Sequence, residues 1–199
     1  MSAVDVDTPH GPARVHLQPA PGAAGALVLG HGAGGGVGAP DLIAATRAAI
    51  DAGFGVALVE QPYRVAGRKS QAPAGQLDTA WTAVVERLAA DELGGLPLVT
   101  GGRSAGARVA CRTAAETNAV AVLCLAFPVH PPGKPEKTRL DELDAVRVPV
   151  LVVQGESDPF GMPPEAPSRR VVRQPGNHSL KGDLDGLAAA VRDWLPGVV

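Results

Sequence analysis

Residues 98–108, Leu-Val-Thr-Gly-Gly-Arg-Ser-Ala-Gly-Ala-Arg, restrict the fold more than any other stretch of the chain. A short apolar run enters Gly102-Arg103-Ser104-Ala105-Gly106, and an Ala-rich, helix-compatible segment follows at once. This is the residue order of a strand, a sharp turn and a helix with a serine at the tip. A serine so placed takes strained backbone angles, and its neighbours two before and two after must be small. Gly102 and Gly106 meet that requirement. The hydroxyl then projects from the carboxyl end of the strand, where open α/β sheets bind ligands, at the amino end of a helix whose dipole favours negative charge. Ser104 is therefore the candidate nucleophile. In a chain with 25 glycines among 199 residues the pattern is weak by itself, since a plain Gly-rich turn between strand and helix also accounts for it.

The surrounding pattern supplies the context. Residues 13–20 alternate weakly, as an edge strand does, with Val15 and Leu17 on one face. Apolar runs at 26–29, 55–60, from 98 into Gly102, 119–127 and 148–154 read as buried strands, 169–173 reads as a last short strand, and helical spacing falls between them. The helices are expected at 41–52, stopped by Gly53; at 76–93, with Leu77, Trp81, Val84, Val85 and Leu88 on one face; after Ser104; at 141–146; and at 184–195. Residues 61–69 and the proline-rich 128–135 read as loops. Strands alternating with helices predict a mostly parallel central sheet with helices on both faces, every strand-exit loop lying on one rim. No insertion is large enough to form a cap. The length fits a single domain over 1–199, with 1–12 as a flexible N-terminal segment.

Composition narrows the function classes. The hydrophobic fraction of 45% and mean hydropathy of +0.09 fit a globular chain with central strands buried on both faces. No run approaches a membrane span, and Asp5 and Asp7 stand where a signal sequence would be basic and then apolar, so a cytoplasmic protein without membrane association is expected. A net charge of −2 and 3% aromatic residues argue against nucleic acid as a partner. Cys111 and Cys124 have no metal-ligand spacing and read as core thiols. Neither a zinc pattern nor a Walker-type loop is present, so neither metal nor cofactor is expected.

Ser104, Asp158 and His178 each occupy a loop just after an expected strand, in the order serine, acid, histidine. In that arrangement the histidine takes the serine proton and returns it to the leaving group, while the acid orients the imidazole and stabilises its charged form. The loop Gly30-His31-Gly32-Ala33-Gly34-Gly35-Gly36 offers a backbone amide of Ala33 or Gly34 as one oxyanion donor, with Ala105 as the other. His31 reads as a residue that fixes this loop. Glu156 and Glu60 compete for the acid role, the first set against the turn before Pro159 and the second against the chain order. His130 competes as base, although its Pro-Pro neighbours hold it in a rigid loop.

Over nearly its whole length the sequence resembles an α/β-hydrolase. More narrowly it is similar to the small, uncapped group related to dienelactone hydrolases and to testis-expressed protein thirty. The resemblance lies in residues 101–108 (Gly-Gly-Arg-Ser-Ala-Gly-Ala-Arg), His130-Pro131-Pro132-Gly133-Lys134-Pro135, residues 154–161 (Gln-Gly-Glu-Ser-Asp-Pro-Phe-Gly) and Asn177-His178-Ser179. It implies a serine hydrolase fold and carries the triad onto Ser104, Asp158 and His178. Dienelactone hydrolases proper use a cysteine nucleophile, so serine at 104 sets this chain apart from their reaction.

Arg64, Arg68, Lys69, Arg103, His130 and Lys134 all fall in loops expected on the active-site rim of a slightly acidic chain. A locally positive mouth would favour acyl substrates bearing a carboxylate or phosphate, with Arg64, Arg103, His130 and Lys134 as the binding candidates. The alternative is ordinary surface charge paired with residues such as Glu60 and Glu136. The expected activity is metal-independent hydrolysis of small carboxylic esters or thioesters through an acyl-enzyme. The competing class is a non-catalytic interaction module on the same fold. The oligomeric state is not readable from the sequence.

Overall fold

The computed structural model describes residues 2–199. Eight strands form one sheet in the order β1-β2-β4-β3-β5-β6-β7-β8. They are β1 Ser2–Val6, β2 Ala13–Gln18, β3 Gly25–Gly30, β4 Phe54–Glu60, β5 Leu98–Arg103, β6 Ala121–Leu125, β7 Val150–Gly155 and β8 Arg169–Gln174. Strands β3 to β8 run parallel to one another, and β1 and β2 are added antiparallel at one edge. The helices are α1 Pro40–Asp51, α2 Pro62–Val65, α3 Ala74–Ala90, α4 Ala105–Thr113, α5 Leu140–Asp144 and α6 Leu184–Trp194.

Period-two alternation along the buried strands divides the core between the two faces of the sheet. Leu27, Leu29, Leu58, Leu123 and Leu151 pack against α1 and α6. On the other face, Val28, Ala57 and Val59 pack under α3, while Val122, Cys124 and Val152 pack under α4 and α5. Trp81 is the largest fully buried side chain and sits on the α3 face, as the helical spacing predicts. Cys111 and Cys124 are free, buried thiols whose sulfurs lie 3.5 Å apart between α4 and β6. Burial and this contact with Cys124 hold the Cys111 thiol well above its ordinary pKa, so it stays protonated.

Two expectations are corrected. The first residues are not a flexible segment through 12, because Ser2–Val6 pairs along the free edge of β2 from Ser2 opposite Leu17 to Val6 opposite Ala13. Val6 is buried by that pairing, and Asp5 faces Arg14 at 2.8 Å on the solvent side. Pro62 opens one helical turn, α2, where a loop is expected, because proline preset at the first helical position suits the start of a helix. The carboxyl rim of the parallel strands carries no cap domain among the described residues.

Candidate active site

The turn between β5 and α4 is built by steric exclusion. A Cβ on Gly102 would stand 2.5 Å from the Gly30 carbonyl oxygen and 2.8 Å from the Gly106 carbonyl carbon. A Cβ on Gly106 would meet that same Gly30 oxygen and stand 2.9 Å from the carbonyl oxygen of His31. Strand β3, strand β5 and helix α4 therefore approach so closely that only glycine fits at both points. Ser104 takes φ 52° and ψ −105°, a left-handed conformation that costs a serine about 1–3 kcal/mol. Its amide donates to Leu125 at 2.8 Å, which anchors the turn to β6.

From this tip a continuous chain of hydrogen bonds runs across three strand ends. The Ser104 Oγ lies 2.9 Å from His178 Nε2, and His178 Nδ1 lies 2.8 Å from Asp158 Oδ2. Asp158 follows β7 in a turn in which its Oδ1 accepts from the Phe160 amide at 2.8 Å. Gln154 Nε2 donates to Oδ2 at 2.8 Å. The carboxylate is 1% exposed and the imidazole 17%, so Asp158 is sealed while the His178 ring still faces outward. With Asp158 ionised, Nδ1 carries the proton and Nε2 is left to accept from Ser104. The Phe160 ring packs on the imidazole with centroids 4.1 Å apart.

The loop after β3 stands beside this chain. A Cβ on Gly32 would be 3.7 Å from the Ser104 Cβ, which brings the loop against Ser104. Three contacts hold it in place: Tyr63 donates its hydroxyl proton to the Ala33 carbonyl at 2.9 Å, His31 Nε2 accepts from the Gln61 amide at 3.1 Å, and His31 Nδ1 donates to the Gly32 carbonyl at 2.8 Å. Burial, reinforced by the Arg64 charge, pushes the His31 pKa down, in keeping with a neutral ring whose Nε2 must accept. The amides of Ala33, Gly34 and Ala105 donate to no acceptor among the described residues.

The rival residues lie elsewhere. Glu60 pairs with His16 at 3.1 Å, and Glu156 is exposed with no contact to His178 among the described residues. His130 bonds through Nδ1 to the Pro131 carbonyl at 2.8 Å and turns its Nε2 toward Gly161. Of the four substrate-binding candidates, only Arg103 touches the Ser104–His178–Asp158 chain among the described residues. Its guanidinium is held by Asp41 at 2.8 Å and donates to the His178 carbonyl at 3.0 Å. Lys134 is exposed in a turn closed on Pro131, and Arg64 lies on α2.

A cleft of about 320 Å³ opens between the loop after β3 and Arg103, the residue before Ser104. Gly32, Gly34, Gly35, Arg103, Ser179 and Lys181 line it. Sequence reasoning missed Asp41, Gln154, Phe160 and Lys181. For Gln154 and Phe160 the signal was near at hand, since both flank Asp158 in residues 154–160; nothing local marks Asp41 or Lys181.

No helix among the described residues is long and apolar enough to cross a membrane. The profile of an alpha/beta hydrolase domain family matches residues 23–183. No curated protein sequence matches the chain. Among solved structures, a serine hydrolase without a lid from Xanthomonas campestris superposes with a TM-score of 0.79 at 24% identity, covering 98% of this chain and 94% of that one. Est1E from Butyrivibrio proteoclasticus gives 0.79 at 16% identity, with 99% and 98% covered. A dienelactone hydrolase from Anabaena variabilis gives 0.78 at 20% identity, with 100% and 97% covered. At these identities the superpositions speak for the fold, and the family match covers most of the chain: the protein belongs to the alpha/beta hydrolase family.

Proposed function

We propose that the protein is a serine hydrolase that works through an acyl-enzyme on small carboxylic esters or thioesters, without a metal. The observation that carries this reading is the unbroken hydrogen-bonded chain from Ser104 Oγ through both nitrogens of His178 to buried Asp158. His178 Nε2 accepts the proton of Ser104 as Oγ attacks the acyl carbon. The amide of Ala105 and that of Ala33 or Gly34 receive the developing oxyanion. The imidazolium, stabilised by Asp158, passes its proton to the departing alkoxide or thiolate. A water then gives a proton to His178 and attacks the acyl carbon, and the tetrahedral adduct collapses by breaking the bond to Ser104 Oγ. That oxygen takes the proton back from His178, releasing the acid and restoring the starting state.

The cleft beside Ser104 suits the acyl group. Its glycine walls leave room, and exposed Lys181 has no ion-pair partner among the described residues. Its charge favours acyl groups that carry a carboxylate or phosphate.

Intact mass after treatment with a fluorophosphonate probe tests the reading. A single adduct on the unmodified protein, absent from Ser104→Ala and His178→Ala, is the expected result. A folded protein that takes no adduct would overturn it in favour of a non-catalytic binding module.

A further inference from the structure

Arg103 stands immediately before Ser104, and its guanidinium is the point at which three strand-exit segments meet. Its Nε lies 2.8 Å from Asp41 Oδ2 at the start of α1, an ion pair whose angle is too bent for a hydrogen bond. One terminal nitrogen, Nη2, donates to the backbone carbonyl of His178 at 3.0 Å. The other, Nη1, packs against Gly32 so tightly that a Cβ there would come within 2.9 Å. Among the described residues, the bond from Arg103 is the only hydrogen bond made by the His178 backbone.

The pairing with Asp41 is costly by itself. The Asp41 side chain is fully buried, and burial pushes its carboxyl pKa up while the Arg103 charge opposes that rise. A buried ion pair of this kind is weak evidence for stability, because well-packed apolar residues in its place are often as stable or more so. What it supplies is direction. A guanidinium is a rigid planar fork, and a buried carboxylate drawing one side by charge biases where the other nitrogens point. Lysine has a single nitrogen on a flexible stem and cannot hold the Asp41 carboxylate and the His178 carbonyl in one fixed geometry.

We propose that Arg103, aimed by Asp41, is a positioning residue that holds the His178 backbone at a set distance from the Ser104 turn, so that Nε2 stays within reach of Oγ. The side-chain contacts of His178, with Asp158 at 2.8 Å and with the Phe160 ring, orient the imidazole plane. The Arg103 bond locates the backbone from which that ring hangs. The proposal rests on the reading of Ser104 and His178 as nucleophile and base.

The test compares the unmodified protein with Arg103→Lys and with the double variant Arg103→Met/Asp41→Asn, which removes the buried charges together. A misplacement near 1 Å costs on the order of 100-fold in rate. The expected result is a fall of about 10- to 100-fold in kcat on a reporter ester and in fluorophosphonate labelling rate. The low-field proton NMR resonance of the His178 Nδ1–H should broaden or vanish in the same variants. A double variant that keeps that resonance, and with it kcat within about twofold, overturns the proposal and leaves Arg103 as a structural ion pair. The resonance reads the position of His178 whether or not the protein turns over substrate. Its loss in the variants, alongside an unmodified protein that takes no label, would sustain the positioning role and overturn the hydrolase reading instead. Should the double variant not fold, Arg103→Lys keeps a charge facing Asp41 and carries the same readouts.

Discussion

The side-chain amide of Gln154 donates at 2.8 Å to the same Asp158 oxygen that receives His178 Nδ1. Gln154 also reaches the carbonyls of Phe127 at 3.1 Å and Gly161 at 2.8 Å, so one buried amide ties the ends of β6 and β7 to the acid turn. A carboxylate held in this way is fixed in place. Gln154→Ala removes a hydrogen bond to a charged group, worth about 1.5–3 kcal/mol, and should lower kcat/KM on a reporter ester by about 10-fold or more. Gln154→Glu should do worse, because it replaces the donor facing Asp158 with a second carboxylate that repels it. Steady-state rates across a pH series measure both.

Gly106→Ala places a methyl group against the backbone of Gly30 and His31, neither of which can give way as a flexible side chain would. The expected cost is about 1–3 kcal/mol or more, and each kcal/mol lowers the melting temperature of a chain this size by about 2–4 °C. Fluorophosphonate labelling should slow as well, since the Ser104 turn must shift. Gly36→Ala is the control: a Cβ there meets nothing within 4 Å, so its stability should change by no more than about 0.5 kcal/mol. Thermal melts of the two variants side by side decide the matter.

His31 ties the stability of the Gly-rich loop to pH. Its folded pKa is depressed below the ordinary value of 6.5, chiefly by burial and further by Arg64. In the window below 6.5 and down to the folded pKa, the unfolded chain therefore binds more protons than the folded one, and stability rises with pH there. The contribution of His31 is complete above its unfolded pKa and is lost on acidification, when Nε2 must surrender the bond from the Gln61 amide. Denaturant unfolding between about pH 7.5 and about pH 5 should show a larger loss for the unmodified protein than for His31→Gln. Equal slopes for the two would remove His31 as the source.

Lys181 supplies the prediction about substrate charge. Lys181→Glu should raise KM for a carboxylate-bearing ester by about two- to fivefold relative to a neutral ester of the same alcohol, the range of a partly exposed ion pair. Added salt should shrink that difference, because exposed charges are screened within about 10 Å at 0.1 M. An identical KM ratio in both proteins at low salt would exclude Lys181 as an anion-binding group.

The parts of the molecule legible in the sequence depend on neighbours along the chain. Continuous apolar runs and helical spacing located the central strands and the apolar face of α3, and the small residues flanking Ser104 marked the sharp turn, because a Cβ at 102 is excluded by the Gly106 backbone that the turn itself brings close. The order of Ser104, Asp158 and His178 after successive strands was equally readable, since a parallel sheet sends every strand-exit loop to one rim. Strand β1 escaped notice because its short, half-exposed run has meaning only against the edge of β2. Arg103 read as one more rim cation, yet its guanidinium is consumed by Asp41, 62 positions earlier, and by His178, 75 positions later. Which charges are spent inside the protein and which face a substrate is decided by contacts between distant segments. No local pattern encodes those contacts, and only the packed sheet brings them together.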